Sequence, residues 1–417
     1  MIKRSIASIA VRGITLGIKF FFVAYFIKIL SIQDYGKYAY FISITTLASY
    51  IIGCDFYTYY TRKFILDPSN KFNRIATTIL FYFFLYIITS AVIFSVASIK
   101  NALYGVKVFF LCILILEVIT QEFNRVLNIL ELNVQANYVI FFKNAFWLLP
   151  CFSLMYFDDK FKVLSTVYSF WLFGLVLALV YSIVVLKQRG YLNFHNYSFG
   201  MFKPDIEFIK SGIKVSIVFL LSSLMFKFLS FFDKSLILKY EGELLLGVYS
   251  FYYNLAFVLT ILVEVGVVFP FLPRLISFAS NDKEGIELNR ILSHVKKYVI
   301  LICVVFVMIA IWGIDLFLYI LNRPELEQYK NIYYLLILAS VIYSLSLIPH
   351  YEMYVKNRDK KLLLCSLIGF LLFVSLGGFV GRQYGALGIG VLLCLTNFTV
   401  LILKIISNRS AKVIEGR

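Results

Sequence analysis

Charged residues are scarce in this sequence of 417 residues. They make up 15% of the chain, whereas apolar residues make up 61%, and the mean hydropathy is +0.86. Ordinary soluble domains contain about 25% charged and about 45–50% apolar residues. The composition therefore excludes an ordinary soluble domain and predicts a protein that crosses a membrane many times.

Residues for metal binding and catalysis are also few. The three histidines lie far apart, and the six cysteines fall inside apolar segments without the spacing of a metal site, so we expect buried thiols. No glycine-rich phosphate loop and no Ser-His-Asp grouping is present, and the outer turns are too short for a catalytic domain. These absences argue against an enzyme, a metal and an organic cofactor. The net charge of +17 follows from the positive-inside rule, so we expect no nucleic-acid partner.

Twelve apolar segments approach the roughly 20 residues that a membrane-spanning helix needs. They are 6–28, 38–60, 75–99, 106–130, 138–157, 163–186, 211–238, 247–272, 297–320, 330–351, 361–381 and 385–406. Most Lys and Arg residues outside these segments fall on the side of the N-terminus. The positive-inside rule then predicts a multi-pass protein with both termini in the cytoplasm.

The first 41 residues are repeated near the middle of the chain, in residues 212–253. Gly36 and Tyr38 correspond to Gly247 and Tyr249, and each stretch has a long apolar helix, a short polar turn and a second apolar helix. We predict an all-α membrane protein with two six-helix lobes related by a parallel pseudo-twofold repeat. The lobes are 1–190 and 211–413, joined by an interfacial cytoplasmic linker at 191–210. Residues 414–417 read Ile-Glu-Gly-Arg, a protease recognition sequence used in recombinant expression, and we predict that they are a remnant of it.

Seven basic residues fall inside the predicted spans, where each costs on the order of 3 kcal/mol at the bilayer centre. They are Arg12, Lys19, Arg125, Lys143, Lys214, Lys227 and Lys234. Arg12 and Lys19 share one face of the first helix with Ser8 and Thr15, and serines accompany the lysines of the seventh helix. We predict that the two faces line one aqueous cavity. Snorkelling and local ion pairs, above all between Glu122 and Arg125, are the alternative.

Among the carboxylates inside the spans, Glu264 has no basic neighbour at helical spacing. Such a group tends to hold a proton or Na⁺, so Glu264 is the first candidate for binding a coupling ion, H⁺ or Na⁺. Asp55, Glu117 and Asp315 are the further candidates. We also expect Pro150 and Pro349 to kink their helices, and Pro270 with Pro273 to end the eighth.

Four segments carry a resemblance to a known family. They are LSIQDYGKYAYF (30–41), FNRVLNILELNVQANY (123–138), GVYSFYYNLAF (247–257) and FPFLPRLIS (269–277). In their order and in the twelve-span topology, they resemble the Wzx-like O-antigen and polysaccharide flippases of the multidrug/oligosaccharidyl-lipid/polysaccharide exporter (MOP) superfamily. The resemblance covers nearly the whole chain, although each motif is loose.

The resemblance implies a V-shaped, two-lobed flippase of the bacterial inner membrane that works by alternating access. Its cargo would be an undecaprenyl-pyrophosphate-linked oligosaccharide, moved from the cytoplasmic to the periplasmic leaflet through a cationic cavity. Buried cations would compensate the diphosphate, and the basic residues of the first and seventh helices match the family. The expected cargo-binding residues are Arg12, Lys19, Arg125, Lys143, Lys227 and Lys234. One departure is that serines stand where the second half should repeat Arg12 and Lys19.

The resemblance also implies partners and leaves alternatives open. Besides the lipid-linked oligosaccharide and membrane lipids, a polysaccharide polymerase and a chain-length regulator are the expected partners. An ion-coupled multidrug exporter of the same superfamily is the main alternative, although cationic drugs would favour an acidic cavity. A membrane-embedded polymerase or glycosyltransferase is less favoured because the outer turns are short.

Overall fold

Helices form almost the whole of the protein. A computed structural model of the chain describes residues 2–57, 59–60, 71–191, 204–281 and 286–415, and these ranges contain no β-strand. Most of the predicted linker, at 192–203, and the last two residues of 414–417 lie outside the described residues. The chain separates into two compact units, Met1–Lys227 and Phe228–Arg417. The predicted domain limits differ from this division and stay a prediction.

The described residues of the first unit form eight complete helices and the start of a ninth. They are α1 (Ile2–Ile29), α2 (Ile32–Gly53), α3 (Lys71–Ser95), α4 (Ala97–Ala102), α5 (Lys107–Ile129), α6 (Asn133–Phe141), α7 (Leu148–Phe157) and α8 (Leu164–Gln188). The ninth, α9 (Ile206–Val263), continues into the second unit. There it is followed by α10 (Phe269–Asn281), α11 (Ile286–Leu321), α12 (Pro324–Gln328), α13 (Lys330–Val355) and α14 (Asp359–Glu415).

Within the described residues, seven helical segments are long and apolar enough to cross a membrane. Two of them, within α9–α10 and within α14, have 55 and 50 residues, which is enough for two crossings each. Both bend at a glycine with positive φ, at Gly242 (φ 83°) and at Gly385 (φ 57°). The predicted turns near 239–246 and 382–385 are therefore single-residue bends in nearly continuous helices.

The sequence repeat is visible as a local structural repeat. In the first unit the turn lies at Ser31, whose Oγ accepts a hydrogen bond from the N–H of Asp34 and so caps α2. The corresponding residue of the second half is Gly242, where α9 bends. Tyr38 and Tyr249 follow these turns inside the helices and are both buried.

Two prolines act differently from the expectation that they end or simply kink their helices. A proline ring clashes with the carbonyl of the residue four positions earlier. For Pro150 that residue is Phe146, the last of a π-helical turn at Phe142–Phe146, and for Pro270 it is Gly266, inside a second π-turn at Glu264–Val268. The prediction that Pro270 and Pro273 end the eighth helix is wrong, because α10 continues directly after the π-turn. Pro349 lies inside the continuous helix α13.

The core of the first unit is largely aromatic. Phe22 packs on Phe26, Trp147 and Phe152, and Phe41 stacks on Tyr168 with ring centroids 4.4 Å apart. Each such pair contributes about 0.5–1.5 kcal/mol beyond its buried area. The start of α9 packs on the same unit at Gly212, where an added Cβ would lie 2.2 Å from the ring of Phe56.

The core of the second unit is aliphatic around α9, α10, α11 and α13, with Leu259, Val263, Leu275 and Val299 all buried. At the opposite end, the carboxylate of Glu241 accepts a hydrogen bond from the N–H of Ala386 at 2.6 Å. This carboxylate thereby caps the helix that restarts after Gly385.

The cysteines fit their prediction only in part. All six are free, and Cys151, Cys303, Cys365 and Cys394 are buried. Cys112 is exposed on α5, and Cys54 is half-buried with a left-handed backbone (φ 50°) where α2 ends.

Candidate functional site

The candidate site of the first unit is a pair of cations on α1, each held by a neutral amide. Nε of Arg12 donates to Oδ1 of Asn137 at 2.8 Å, and Nζ of Lys19 donates to Oδ1 of Asn144 at 3.0 Å. Both pairs span 125 residues, so two parallel helical segments pair in register. We call these four residues the cationic face.

The helical spacing explains why both cations meet the same neighbour. Arg12 and Lys19 are seven residues apart, or nearly two turns, and so share one side of α1. Thr15 lies between them but is 4% exposed, and its hydroxyl donates to the carbonyl of Val11. Thr15 therefore does not contribute a free hydroxyl to the face. The side chain of Ser8 lies outside the described part of the chain.

The π-turn at Phe142–Phe146 directs two neighbouring side chains to different partners. Asn144 reaches Lys19 on α1, whereas Lys143 forms an ion pair with Glu117 on α5. Trp171 on α8 donates its Nε1–H to the same carboxylate at 3.2 Å. π-turns often occur at functional sites because they change the direction of side chains in this way.

A glycine on α8 allows this helix to pack closely against the π-turn. A Cβ at Gly174 would lie 2.4 Å from Trp147 Cδ1 and 2.9 Å from the carbonyl oxygen of Phe142. Only a residue without a side chain lets α8 approach the π-turn so closely.

Three other predicted cargo-binding cations have their charge matched by a carboxylate. Lys143 pairs with Glu117, as described above. Arg125 pairs with Glu122, as the alternative interpretation predicted, and Tyr60 donates to the same carboxylate at 2.5 Å. Lys234 is 6% exposed and lies 3.5 Å from Asp233. Only the pair of Lys143 and Glu117 joins different helical segments, and all three cations present little free positive charge.

Lys227 has aromatic neighbours in the first unit. Its ammonium lies 5.1 Å from the ring centroid of Tyr50 on α2 and 5.7 Å from that of Phe226. The role of Lys227 in cargo binding stays a prediction. The prediction of one cavity lined by the first and seventh helices stays a prediction.

The four candidate carboxylates for ion coupling occupy different environments. Glu264 is half-buried at the start of its π-turn, within electrostatic range of Tyr343 and Tyr351. Asp55 is 7% exposed and has a left-handed backbone (φ 45°) just after α2. Glu117 forms an ion pair with Lys143, and Asp315 is exposed and forms an ion pair with Lys330. Within the described residues no group of three His, Cys, Asp or Glu side chains could hold a metal ion.

Sequence reasoning did not identify three residues as partners of these charges. Asn144 lies in the fifth predicted span, Asn137 lies immediately before it, and Trp171 is one of many aromatic residues. A signal was nevertheless present, because Asn137 and Asn144 repeat the seven-residue spacing of Arg12 and Lys19.

Solved transporter structures share this architecture. The fold is that of the MATE transporters. The inward-facing conformation of a multidrug resistance MATE family transporter of the MOP superfamily aligns with a TM-score of 0.73 and 12% identity, over 97% of this chain and 98% of the other. An outward-facing conformation aligns with a TM-score of 0.59 and 13% identity, over 100% of this chain and 97% of the other.

A third neighbour differs in the polarity of its pocket. It is a MOP superfamily transporter from Pyrococcus furiosus, for which the reverse polarity of the binding pocket suggests a different function. It aligns with a TM-score of 0.55 and 13% identity, over 98% of this chain and 93% of the other. No family model matches the sequence, and no curated protein matches it significantly. The neighbours are transporters, and the chain has the fold of a multi-pass membrane transporter with twelve helices in two lobes.

Proposed function

We propose that the protein moves a large amphiphilic anion across the bacterial inner membrane by alternating access, with both termini in the cytoplasm. The cargo class that fits best is a lipid-linked oligosaccharide with a diphosphate, flipped to the outer leaflet for a polymerase and chain-length regulator. The cationic face carries this proposal. Arg12 and Lys19 are exposed, and each donates a hydrogen bond to an amide oxygen rather than to a carboxylate.

The choice of amide partners has an electrostatic consequence. An amide oxygen orients a guanidinium or ammonium group but does not cancel its charge, whereas a carboxylate does both. Carboxylate partners of this kind are found in the same chain for Lys143, Arg125 and Lys234. A cation that is positioned but not neutralised is suited to an anionic group that arrives and leaves.

A multidrug exporter of the same superfamily is the second candidate. The structural neighbours favour it, since two of them are multidrug resistance MATE family transporters of the MOP superfamily. Fold alone does not decide the cargo, because the charge of the site can change while the helices stay in place. Lipophilic cations would be repelled by Arg12 and Lys19, so the two candidates predict opposite responses to charge.

Ion coupling belongs to the same proposal. Glu264 stays the first candidate and Asp55 a further one, and each lies where its helix departs from regular geometry. Such sites hold a proton or Na⁺ at low cost when the environment changes between the two sides. Glu264→Gln should lose stimulation by an imposed gradient while it keeps cargo binding.

The experiment compares two probes in proteoliposomes. One is a polyprenyl-diphosphate oligosaccharide, and the other is a lipophilic monovalent cation. Lys19→Ala should lower flipping of the first at least tenfold and leave or increase transport of the second. Lys239→Ala, at the exposed lysine of an outer turn, is the matched control. The multidrug candidate would be supported instead if the protein transports the cation and Lys19→Ala does not change the movement of the anion.

A further inference from the structure

The second unit has a group of basic and polar side chains at one end of α13 and α14. Lys404 is 4% exposed and lies on the part of α14 that follows the bend at Gly385. A helix of this length rises about 28 Å, which is close to the roughly 30 Å thickness of a hydrocarbon core. Lys404 therefore lies near the membrane surface on the side of the C-terminus, which the positive-inside rule predicts to be cytoplasmic.

Side chains from α13 and from both parts of α14 meet around Lys404. His350 of α13 and Cys365 of the first part of α14 lie within electrostatic range of its ammonium group. Ser407 contacts the same thiol, with 3.7 Å between its Oγ and Sγ of Cys365. Ser407 follows Lys404 by three residues, so the two side chains are neighbours on one helix face. The ammonium of Lys404 and the hydroxyl of Ser407 therefore both face the first part of α14.

A guanidinium group lies next to this pair. Nη1 of Arg358 donates to the carbonyl oxygen and to Oδ1 of Asn408, both at 3.3 Å. Asn408 is 7% exposed and follows Lys404 by four residues, so it lies on the same face of α14. Two cations and one hydroxyl donor are thus gathered at this end of the unit.

Lys404 has no carboxylate partner within the described residues. Its ammonium forms no hydrogen bond and no ion pair there, and the titratable groups within electrostatic range are His350 and Cys365. The nearest carboxylate of α13 in sequence, Glu352, accepts a hydrogen bond from Nζ of Lys356 at 2.8 Å. An ammonium group that is largely withdrawn from water needs hydrogen-bond acceptors or a counter-ion. The described part of the chain supplies neither to Lys404.

The other largely buried lysine of the unit has such partners. Nζ of Lys234 lies 3.5 Å from Asp233, 2.8 Å from the carbonyl oxygen of Ser230 and 4.3 Å from the ring centroid of Tyr253. Nζ of Lys404, by contrast, is not among the fully buried atoms that lack a hydrogen-bond partner. Its stem is therefore buried while its tip stays accessible, so that an anion from outside the chain can reach it.

We propose that Lys404, Arg358 and Ser407 form a binding site for a phosphate group at the predicted cytoplasmic end of the second unit. Ammonium, guanidinium and hydroxyl groups are the donors that bind phosphate oxygens. The phosphate belongs either to the head group of an anionic lipid or to a soluble phosphate. Basic pockets between membrane helices on the cytoplasmic side bind anionic head groups. The site does not depend on the cargo, because it belongs to the second unit and the cationic face to the first.

Thermal unfolding of the full chain in lipid nanodiscs tests the site, because a ligand of the folded state raises the unfolding temperature. Phosphatidylcholine, whose choline cation balances its phosphate, is the reference. Phosphatidylglycerol replaces part of it in one series, and inorganic phosphate is titrated in the other. At least one of these ligands should raise the unfolding temperature of the unmodified protein. Lys404→Met, with similar volume and no charge, should lose this rise, and Lys361→Met, at an exposed lysine, should keep it.

The two series distinguish the sources of the phosphate. A rise with phosphatidylglycerol that Lys404→Met abolishes assigns the site to a lipid head group. A rise with inorganic phosphate that Lys404→Met abolishes assigns it to a soluble anion. Lys404→Arg keeps the charge and should keep most of the rise in either series.

The reference nanodiscs separate ligand binding from a structural role of Lys404. In phosphatidylcholine alone, Lys404→Met should unfold at the same temperature as the unmodified protein or higher, because it removes a charge that has no partner. An equal loss of stability in every condition, or full rises in Lys404→Met, would overturn the proposal. So would an unmodified protein that responds to neither phosphatidylglycerol nor phosphate, and this result needs no variant to fold.

Discussion

Giving Lys19 a carboxylate partner should separate the two candidate cargoes. Asn144→Asp replaces the amide oxygen, 3.0 Å from Nζ of Lys19, by a charged oxygen of nearly the same shape. At an effective dielectric constant of about 20, two unit charges at this distance attract by about 5 kcal/mol. Lys19 is exposed, so water screens much of this, and exposed pairs retain only about 1 kcal/mol.

We expect Asn144→Asp to weaken binding of the cargo by an amount between these two limits. A loss of about 1.4 to about 2.8 kcal/mol in binding of a diphosphate corresponds to a ten- to hundredfold lower affinity. Asn144→Ala removes the orienting oxygen but leaves the charge, so it should weaken binding much less. Asn137→Asp should act in the same way on Arg12. Asn101→Asp, at an exposed position on α4, controls for added negative charge.

The assay measures binding of a polyprenyl diphosphate and of a lipophilic cation to the purified protein, together with surface polysaccharide in cells. Asn144→Asp should weaken binding of the diphosphate anion and strengthen binding of the lipophilic cation. If Asn144→Asp binds the diphosphate as tightly as the unmodified protein, the charge of Lys19 plays no part in recognition. The reasoning from amide-held cations would then be refuted.

Three further predictions concern the supports of the site. Gly174→Ala should destabilise the protein by about 1–3 kcal/mol, because its Cβ overlaps the π-turn, whereas Gly378→Ala, with open space around it, should not; thermal unfolding in detergent compares them. Replacing Lys143 alone by an apolar residue should lower the free energy of unfolding by about 3–5 kcal/mol, because Glu117 is left unpaired. Replacing both Lys143 and Glu117 by apolar residues should recover most of this stability. If the two replacements instead lower the free energy of unfolding additively, the pairing is contradicted. Gly385→Ala should lower the unfolding temperature, since it combines a positive φ with overlap on a carboxylate; an unchanged temperature would count against the bend.

Helical spacing in the sequence predicts ion pairs within one helix but not ion pairs between helices. Glu122 and Arg125 pair within one helix, and the i,i+3 spacing predicted it. Glu117 and Lys143 pair between α5 and the π-turn, which no local pattern indicates. Spacing reports neighbours on one helix, whereas partners on different helices depend on how the helices pack.

The sequence by itself determined the class of protein, because 61% apolar composition and twelve long apolar segments allow no soluble fold. It also determined the internal repeat, with its turns at Ser31 and Gly242. Only the tertiary structure decided which cations keep their charge. Arg12 and Lys19 meet amides, whereas Lys143 meets a carboxylate, although all three are basic residues in apolar helices. The physical reason is that a charge inside a membrane protein is defined by its nearest partners, and packing brings these from distant parts of the chain.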